Sequence, residues 1–280
     1  MKQEADKCFN FYKASIDAYA LPERFTFPLQ NGPHPLCLLA ALELQQHLTD
    51  QNEWQHNFGL VEEDEGKIVG KMFGVLVVKN EENEIGYLAA FSGKLAGGNH
   101  HVGFVPPVFD GLAEGSFVNH GMTELSRICA SIAELEELNT LESQEEVALL
   151  KQKRWQHSFT LQGRIFDAYT FTNQFGENMS LRSIFKKKSN GNPPAGAGEC
   201  AAPKLIQYAF QNKMKPLALA EFWWGKSPKT EHWKHGEYYP ACTEKCFPIL
   251  SHMLEGMEWD GLKEVTFSGQ ISTQAITDLE

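Results

Sequence analysis

The chain has 280 residues, 42% hydrophobic, 22% charged and 11% aromatic, with a formal net charge of −11. Nineteen Phe, seven Tyr and six Trp supply ample apolar surface to bury, which excludes disorder as the main state. No run of 18 apolar residues occurs, which excludes an apolar membrane-spanning helix, and the acidic balance argues against a general nucleic-acid binder.

The charge is unevenly spread. Residues 1–150 carry 9 Lys and Arg against 23 Asp and Glu, whereas residues 151–280 carry 16 against 13. Any face that meets a polyanion is therefore expected in the second half. The N-terminus, MKQEADKCFNFYKAS, is charged and lacks an apolar signal core, so the expectation is a cytoplasmic protein in a reducing compartment. There Cys8, Cys37, Cys129, Cys200, Cys242 and Cys246 read as thiols or metal ligands rather than disulfides.

Residues 1–34 hold aromatics and turn formers, and are expected to pack onto a domain rather than form one. Pro35 suits the first turn of a helix, and LCLLAALELQQHL continues it at helical spacing to about Leu48. KIVGKMFGVLVV (67–78) and EIGYLAAF (84–91) read as the two strands of a hairpin around the polar turn KNEEN. Residues 92–110 form a long Gly- and Pro-rich loop, a length that hints at function or docking.

Leu125, Ile128, Ile132 and Leu135 open a helical pattern over 122–156, read as one helix or a helical hairpin with a possible dimer seam. RIFDAYTFT (164–172) reads as a strand, residues 173–176 as a turn, and Lys186, Lys187 and Lys188 as a basic linker. Residues 201–214 read as a helix, 216–225 as a strand, 247–257 as a second helix and 264–270 as a last strand.

The densest chemistry lies between residues 199 and 246. Cys200 stands at a helix start, and Cys242 and Cys246 lie one turn apart at another. Backbone N–H groups and the helix dipole favour thiolate there. Three such thiolates suit Zn²⁺ in tetrahedral geometry, with His235 or water as the fourth ligand. The alternative is that all three are core residues, since Cys is among the most buried residue types, and both readings stay open. Lys186, Lys187, Lys188, Trp223 and Trp224 form a candidate RNA-binding set, because aromatics beside Lys can stack bases; core aromatics are the plain alternative. His100 and His101 sit in a Gly-rich loop; a metal or phosphate contact is one reading, and solvent exposure or backbone hydrogen bonding is the commoner one.

The cysteine pattern resembles the zinc deaminases, whose ligands follow H/C-x-E and then P-C-x-x-C. Here the first element is Cys200-Ala201-Ala202, and the second is Pro240-Ala241-Cys242 followed by Cys246. The position of the acid/base Glu holds Ala202, and the second pair is one residue longer than the pattern. Glu199 and Glu221 are near in sequence, but neither stands at the motif position. The resemblance implies a deaminase-like scaffold without the activity.

Longer stretches are similar to the N-terminal extension of the large bacterial RluA-type pseudouridine synthases. They are ALPERFTFP (20–28), PHPLCLLAA (33–41), WQHNFG (54–59), GKMFGVLVV (70–78), EIGYLAAFSGKLAGGNHH (84–101), FVPPVFD (104–110), PPAGAGECAAPKLIQYAF (193–210), KPLALAEFWWGKSPKTE (215–231) and HGEYYPACTEKCFPILSHML (235–254). The resemblance implies a role in converting uridine to pseudouridine in rRNA or tRNA. The family's catalytic Asp lies in an H-R-L-D-x-x-T-S-G type run, which this sequence lacks. No catalytic residue is therefore assigned.

These readings predict an α+β fold with a mixed sheet flanked by helices, cytidine-deaminase-like, with a long helix or helical hairpin inserted. The expected parts are 1–121 with the hairpin at 67–91, a helical segment at 122–157 and a Cys-bearing part at 158–280. The expected function is a non-catalytic accessory module that binds structured RNA or a synthase catalytic domain. The alternatives are a zinc-dependent deaminase-like hydrolase of a base or nucleoside, and a scaffold that dimerises through residues 122–156.

Overall fold

The computed structural model describes residues 7–27, 32–62, 65–188, 191–228 and 232–260. It is an α+β fold on a mixed sheet. The elements in chain order are β1 (Phe25–Thr26), α1 (Pro35–Asp50), β2 (Lys71–Lys79), β3 (Ile85–Phe91), α2 (Phe117–Leu138), α3 (Leu141–Ala168), β4 (Thr170–Thr172), β5 (Asn178–Ser180), α4 (Leu181–Lys188), α5 (Ala201–Gln211), β6 (Lys215–Trp224), β7 (Tyr238–Tyr239), α6 (Phe247–Met253) and β8 (Trp259–Asp260).

The main sheet runs β3-β2-β6-β1-β8, with β7 also on β6. β2 pairs antiparallel with both β3 and β6, while β1 lies parallel to β6 and β8. β2 and β6 are long apolar runs, buried nearly throughout, as strands covered on both faces must be. Alternation along β2 divides the core. Phe73, Val75 and Val77 meet α1 through Leu36, Ala40, Leu44 and Leu48. Leu76 and Val78 face the opposite layer, with Leu205 and Ile206 of α5 and Ile249 and Met253 of α6.

Pro35 occupies the first turn of α1, and His34 Nδ1 accepts the Leu36 N–H at 3.2 Å, which satisfies one of the free donors there. Gly74 of β2 fits α5 close to the sheet: a Cβ there would meet the Ala201 Cβ at 3.0 Å and the Leu205 Cδ1 at 3.1 Å.

The helical segment is a hairpin, α2 against α3. Ile128 and Ile132 of α2 pack on Val147 of α3, with Leu135 and Leu150 at the margin. The seam expected for a dimer is thus largely filled by the same chain. The hairpin interrupts one lobe, because strands from both 1–121 and 158–260 share the main sheet. Of residues 1–34, expected to pack onto a domain, the described part 7–27 does so: Asn10 and Tyr87 exchange backbone hydrogen bonds at 2.9 and 2.8 Å.

Three expectations change. Residues 25–26 form an interior strand rather than irregular chain, because the edge of β6 at Ala218 is open to a parallel partner. Residues 164–168 extend α3, since Ile165 and Phe166 lie on its core-facing side, and only 170–172 become strand. Lys186, Lys187 and Lys188 close α4 rather than form a linker, because Leu181, Ile184 and Phe185 anchor that helix in the core. The hairpin at 67–91 and the strand at 216–225 do share one sheet, but the strand expected at 264–270 lies outside the described residues. Among the described residues, no helix is long and apolar enough to cross a membrane.

Gly74→Val drives two methyl groups into α5. It is expected to lower the urea unfolding free energy by about 1–3 kcal/mol at an unchanged denaturant slope.

A candidate thiol centre at two helix starts

The entry to α5 is shaped by glycine. Gly198 has φ +92°, and a Cβ there would meet the Tyr169 Cδ1 at 2.9 Å. The turn delivers Cys200 to the N-cap of α5, where its side chain makes no capping bond. Glu221 from β6 reaches over instead: its Oε1 accepts the Ala202 N–H at 3.1 Å. The strand carboxylate thus does the work an N-cap side chain would do, and the Cys200 sulfur takes no part in the cap.

The second helix start presents Cys242 and Cys246. The Lys245 N–H donates to the Cys242 Sγ at 3.2 Å, and the Cys246 and Phe247 N–H groups donate to the Cys242 carbonyl at 3.2 and 3.1 Å. Cys246 is the N-cap of α6 and only 2% exposed. It is in hydrogen-bond contact with both Cys200 and Cys242. The three cysteines predicted from sequence are therefore brought together. Among the described residues, however, no three or more His, Cys, Asp or Glu side chains stand around a common metal position. Cys200 and Cys242 pack against the core cluster that contains Cys246.

The electrostatics are graded. The hydrogen bond from Cys246 lowers the Cys242 thiol to about 5, against a burial effect that raises it, with the Lys245, Cys246 and Glu244 N–H groups assisting. Cys246 moves strongly upward, because its hydrogen bonds to Cys200 and Cys242, its burial and the charge on Cys200 and Glu221 all favour the protonated thiol. Burial pushes the Glu221 carboxyl up to about 7, opposed by the Ala202 N–H and reinforced by Cys242.

Beside this centre, Lys204 of α5 is 4% exposed and donates to the Phe91 and Gly93 carbonyls at 2.9 and 3.1 Å. Burial lowers its ammonium to about 8, with the charges of Glu199 and Cys200 opposing. Glu199 accepts the Tyr169 hydroxyl at 3.3 Å. Lys204, Glu199 and Tyr169 line a cleft of about 160 Å³ together with Pro107, Phe109 and Ile165.

The remaining predicted residues lie apart from the thiols. His235 is in the β6–β7 connection, its Nδ1 accepting the Gly225 N–H at 3.1 Å and its ring 4.3 Å from that of Trp224. Trp224 is 9% exposed in the α1-side core and cannot stack a base. Trp223 is half-buried and stacks on Trp233 at 5.6 Å. Lys186 and Lys187 are exposed and Lys188 half-exposed. Glu221 and Lys204 are the residues the sequence reading did not assign. The signal for Glu221 was a single acid inside the apolar run PLALAEFWW.

Comparison with known proteins finds no matching family profile, no matching curated protein and no matching solved structure.

Alkylation should follow the thiol electrostatics. At pH 6, iodoacetamide is expected to label Cys242 ahead of the other cysteines, with Cys246 labelled only after denaturation, as read by peptide mass spectrometry.

Proposed function

We propose that the chain is an accessory module, without pseudouridine synthase activity of its own, that acts with a RluA-type synthase domain on rRNA or tRNA. One observation supports this reading above the others. The stretches that resemble that family fall on β1, α1, β2, β3, the entry and body of α5, β6, and the segment through β7 and α6. None of them falls in α2, α3, β4, β5 or α4. The resemblance therefore follows the sheet, its covering layers and the thiol centre, and skips the inserted hairpin and its base. A likeness that tracks one packed unit is what common descent of a domain produces. Short matches by chance would scatter over both parts.

The synthase chemistry needs an Asp in a specific run, and the sequence holds no such run. The module's contribution is then binding. Lys186 and Lys187 are exposed at the C-terminal turn of α4, in the half of the chain with a positive balance. They are suited to phosphate contact, which carries affinity without sequence preference.

A second reading, a zinc hydrolase of deaminase type acting on a base or nucleoside, is favoured by one specific feature. Two helices begin at cysteines on one side of a shared strand, and a buried carboxylate, Glu221, stands on the turn where the deaminase pattern places its Glu. Release of ammonia from cytidine or adenosine would separate this reading from the first.

Incubated alone with rRNA and tRNA, the chain is expected to form no pseudouridine by carbodiimide labelling and primer extension. Turnover would overturn the accessory reading. In fluorescence anisotropy with a structured rRNA fragment, replacing Lys186, Lys187 and Lys188 with Ala is expected to weaken binding uniformly. The slope of log K against log salt should fall by about 2–3. An unchanged affinity and slope would remove these lysines from the interface.

A further inference from the structure

We infer that the cleft between the 92–110 loop and the base of the helical hairpin binds a small carboxylate of one ring, with the Lys204 ammonium as the group that meets its charge. The cleft forms where three parts of the chain come together. Phe109 comes from the loop, Val118 and Ile165 from α2 and α3, and Glu199 and Lys204 from the entry and body of α5. Its volume is about 160 Å³. A cavity of roughly 150 Å³ accepts a benzene-sized ligand, so one ring is the size that fits.

The charge of the lining selects an anion. Lys204 is 4% exposed, and two of its three N–H groups go to the Phe91 and Gly93 carbonyls. The third is the donor a ligand would take. The Phe91 ring centroid, 4.9 Å from Nζ, adds to the preference for a cation. Burial lowers this ammonium to about 8, which leaves it mostly charged at pH 7. Lys94 adds a second positive charge to the lining. Among the described lining residues Glu199 is the one carboxylate, and its Oε1 already accepts the Tyr169 hydroxyl. A monoanion balances this set, because a buried charge is tolerated when it is paired.

Most of the remaining wall is apolar, and it is held in place. Phe109 meets Tyr169 edge-on at 5.3 Å and stacks on Phe117 at 5.8 Å. The loop that carries it is pinned by Asp110. That carboxylate accepts the Asn99 amide at 2.9 Å and the Leu112 N–H at 3.0 Å, and lies 2.8 Å from His100 Nε2. A preformed apolar pocket with a few polar groups is the usual form of a small-molecule site. Apolar walls favour a ring over an inorganic anion, whose other oxygens would be left without donors. The length of the 92–110 loop thereby finds a use, as one wall of the cleft.

The test titrates the full chain at pH 7 with benzoate and with cyclohexanecarboxylate by calorimetry, and with benzamide and benzylamine as neutral and cationic counterparts. At least one of the acids is expected to bind with one equivalent, about tenfold or more tighter than either counterpart. Lys204→Met should erase that preference. Leu112 lines the cleft and is 38% exposed. Leu112→Trp should therefore fill the cleft and weaken the acid about tenfold or more, with an unchanged circular dichroism spectrum. Binding of neither acid by the unmodified chain would overturn the site. Equal affinity for benzamide or benzylamine would overturn the role of the ammonium, and wild-type affinity in Leu112→Trp would overturn the location. If Lys204→Met does not fold, the preference of the unmodified chain and the Leu112→Trp result decide. No RNA enters the measurement, so its outcome is independent of the synthase reading.

Discussion

The antiparallel pairing of β2 with β6 is the constraint on which the rest of the molecule depends. It runs from Lys71 opposite Trp224 to Lys79 opposite Lys215, with one irregularity beside Val77. The two strands are separated by β3, the long loop after it, the helical hairpin, β4, β5, α4 and α5. Closing so long a loop costs entropy that grows only logarithmically with its length. A large insertion is therefore tolerated once the pairing is strong enough. Its strength comes from burial on both faces, with α1 on one side and α5 and α6 on the other. β3 extends this pair on one edge, and β1 and β7 share the other edge of β6.

Two charged side chains stitch the layers where hydrophobic packing alone would leave α5 free to slide. Glu221 joins β6 to the first turn of α5 through the Ala202 N–H. Lys204 joins the same helix to the end of β3 through two carbonyls. Each lies within an otherwise apolar stretch, and burial acts against the charge of each. Backbone partners offset that cost, because a buried polar group is tolerated when hydrogen-bonded. Together they fix the start of α5, and with it Cys200. The thiol centre thus inherits its position from the sheet rather than from the loop that carries it.

The hairpin follows different physics. Its internal core is small, Ile128, Ile132 and Val147 with Leu135 and Leu150, and ion pairs such as Lys151 with Glu136 lie at its surface. Exposed pairs of this kind contribute little. At its base, Ile165 and Phe166 pack on the main core. Farther out, Trp155 and Phe159 stack face to face at 5.5 Å in solvent. Most of the stability of these helices therefore comes from their own pairing and from the anchored base.

The sequence by itself determined the local elements whose pattern is strong. Helix α1 announces itself by Pro35 and its apolar repeat, and the β2–β3 hairpin by two apolar runs around a polar turn. The three cysteines stood out by their placement before helical segments. Other features were illegible for identifiable reasons. Phe25 and Thr26 are too short to show a strand period, and only the open edge of β6 makes them one. RIFDAYTFT has β-type composition, yet residues 164–168 stay helical because Ile165 and Phe166 lie on the side of α3 that meets the core. Trp223 and Trp224 look alike in sequence, but strand alternation puts Trp224 in the core and leaves Trp223 half-exposed. Glu221 read as an acid off the motif position; folding placed it on the Ala202 N–H. Local patterns encode element type because they depend on neighbours a few residues away. Which side chains meet across layers depends on strand register and helix docking, and those are set by long-range burial that no local window contains.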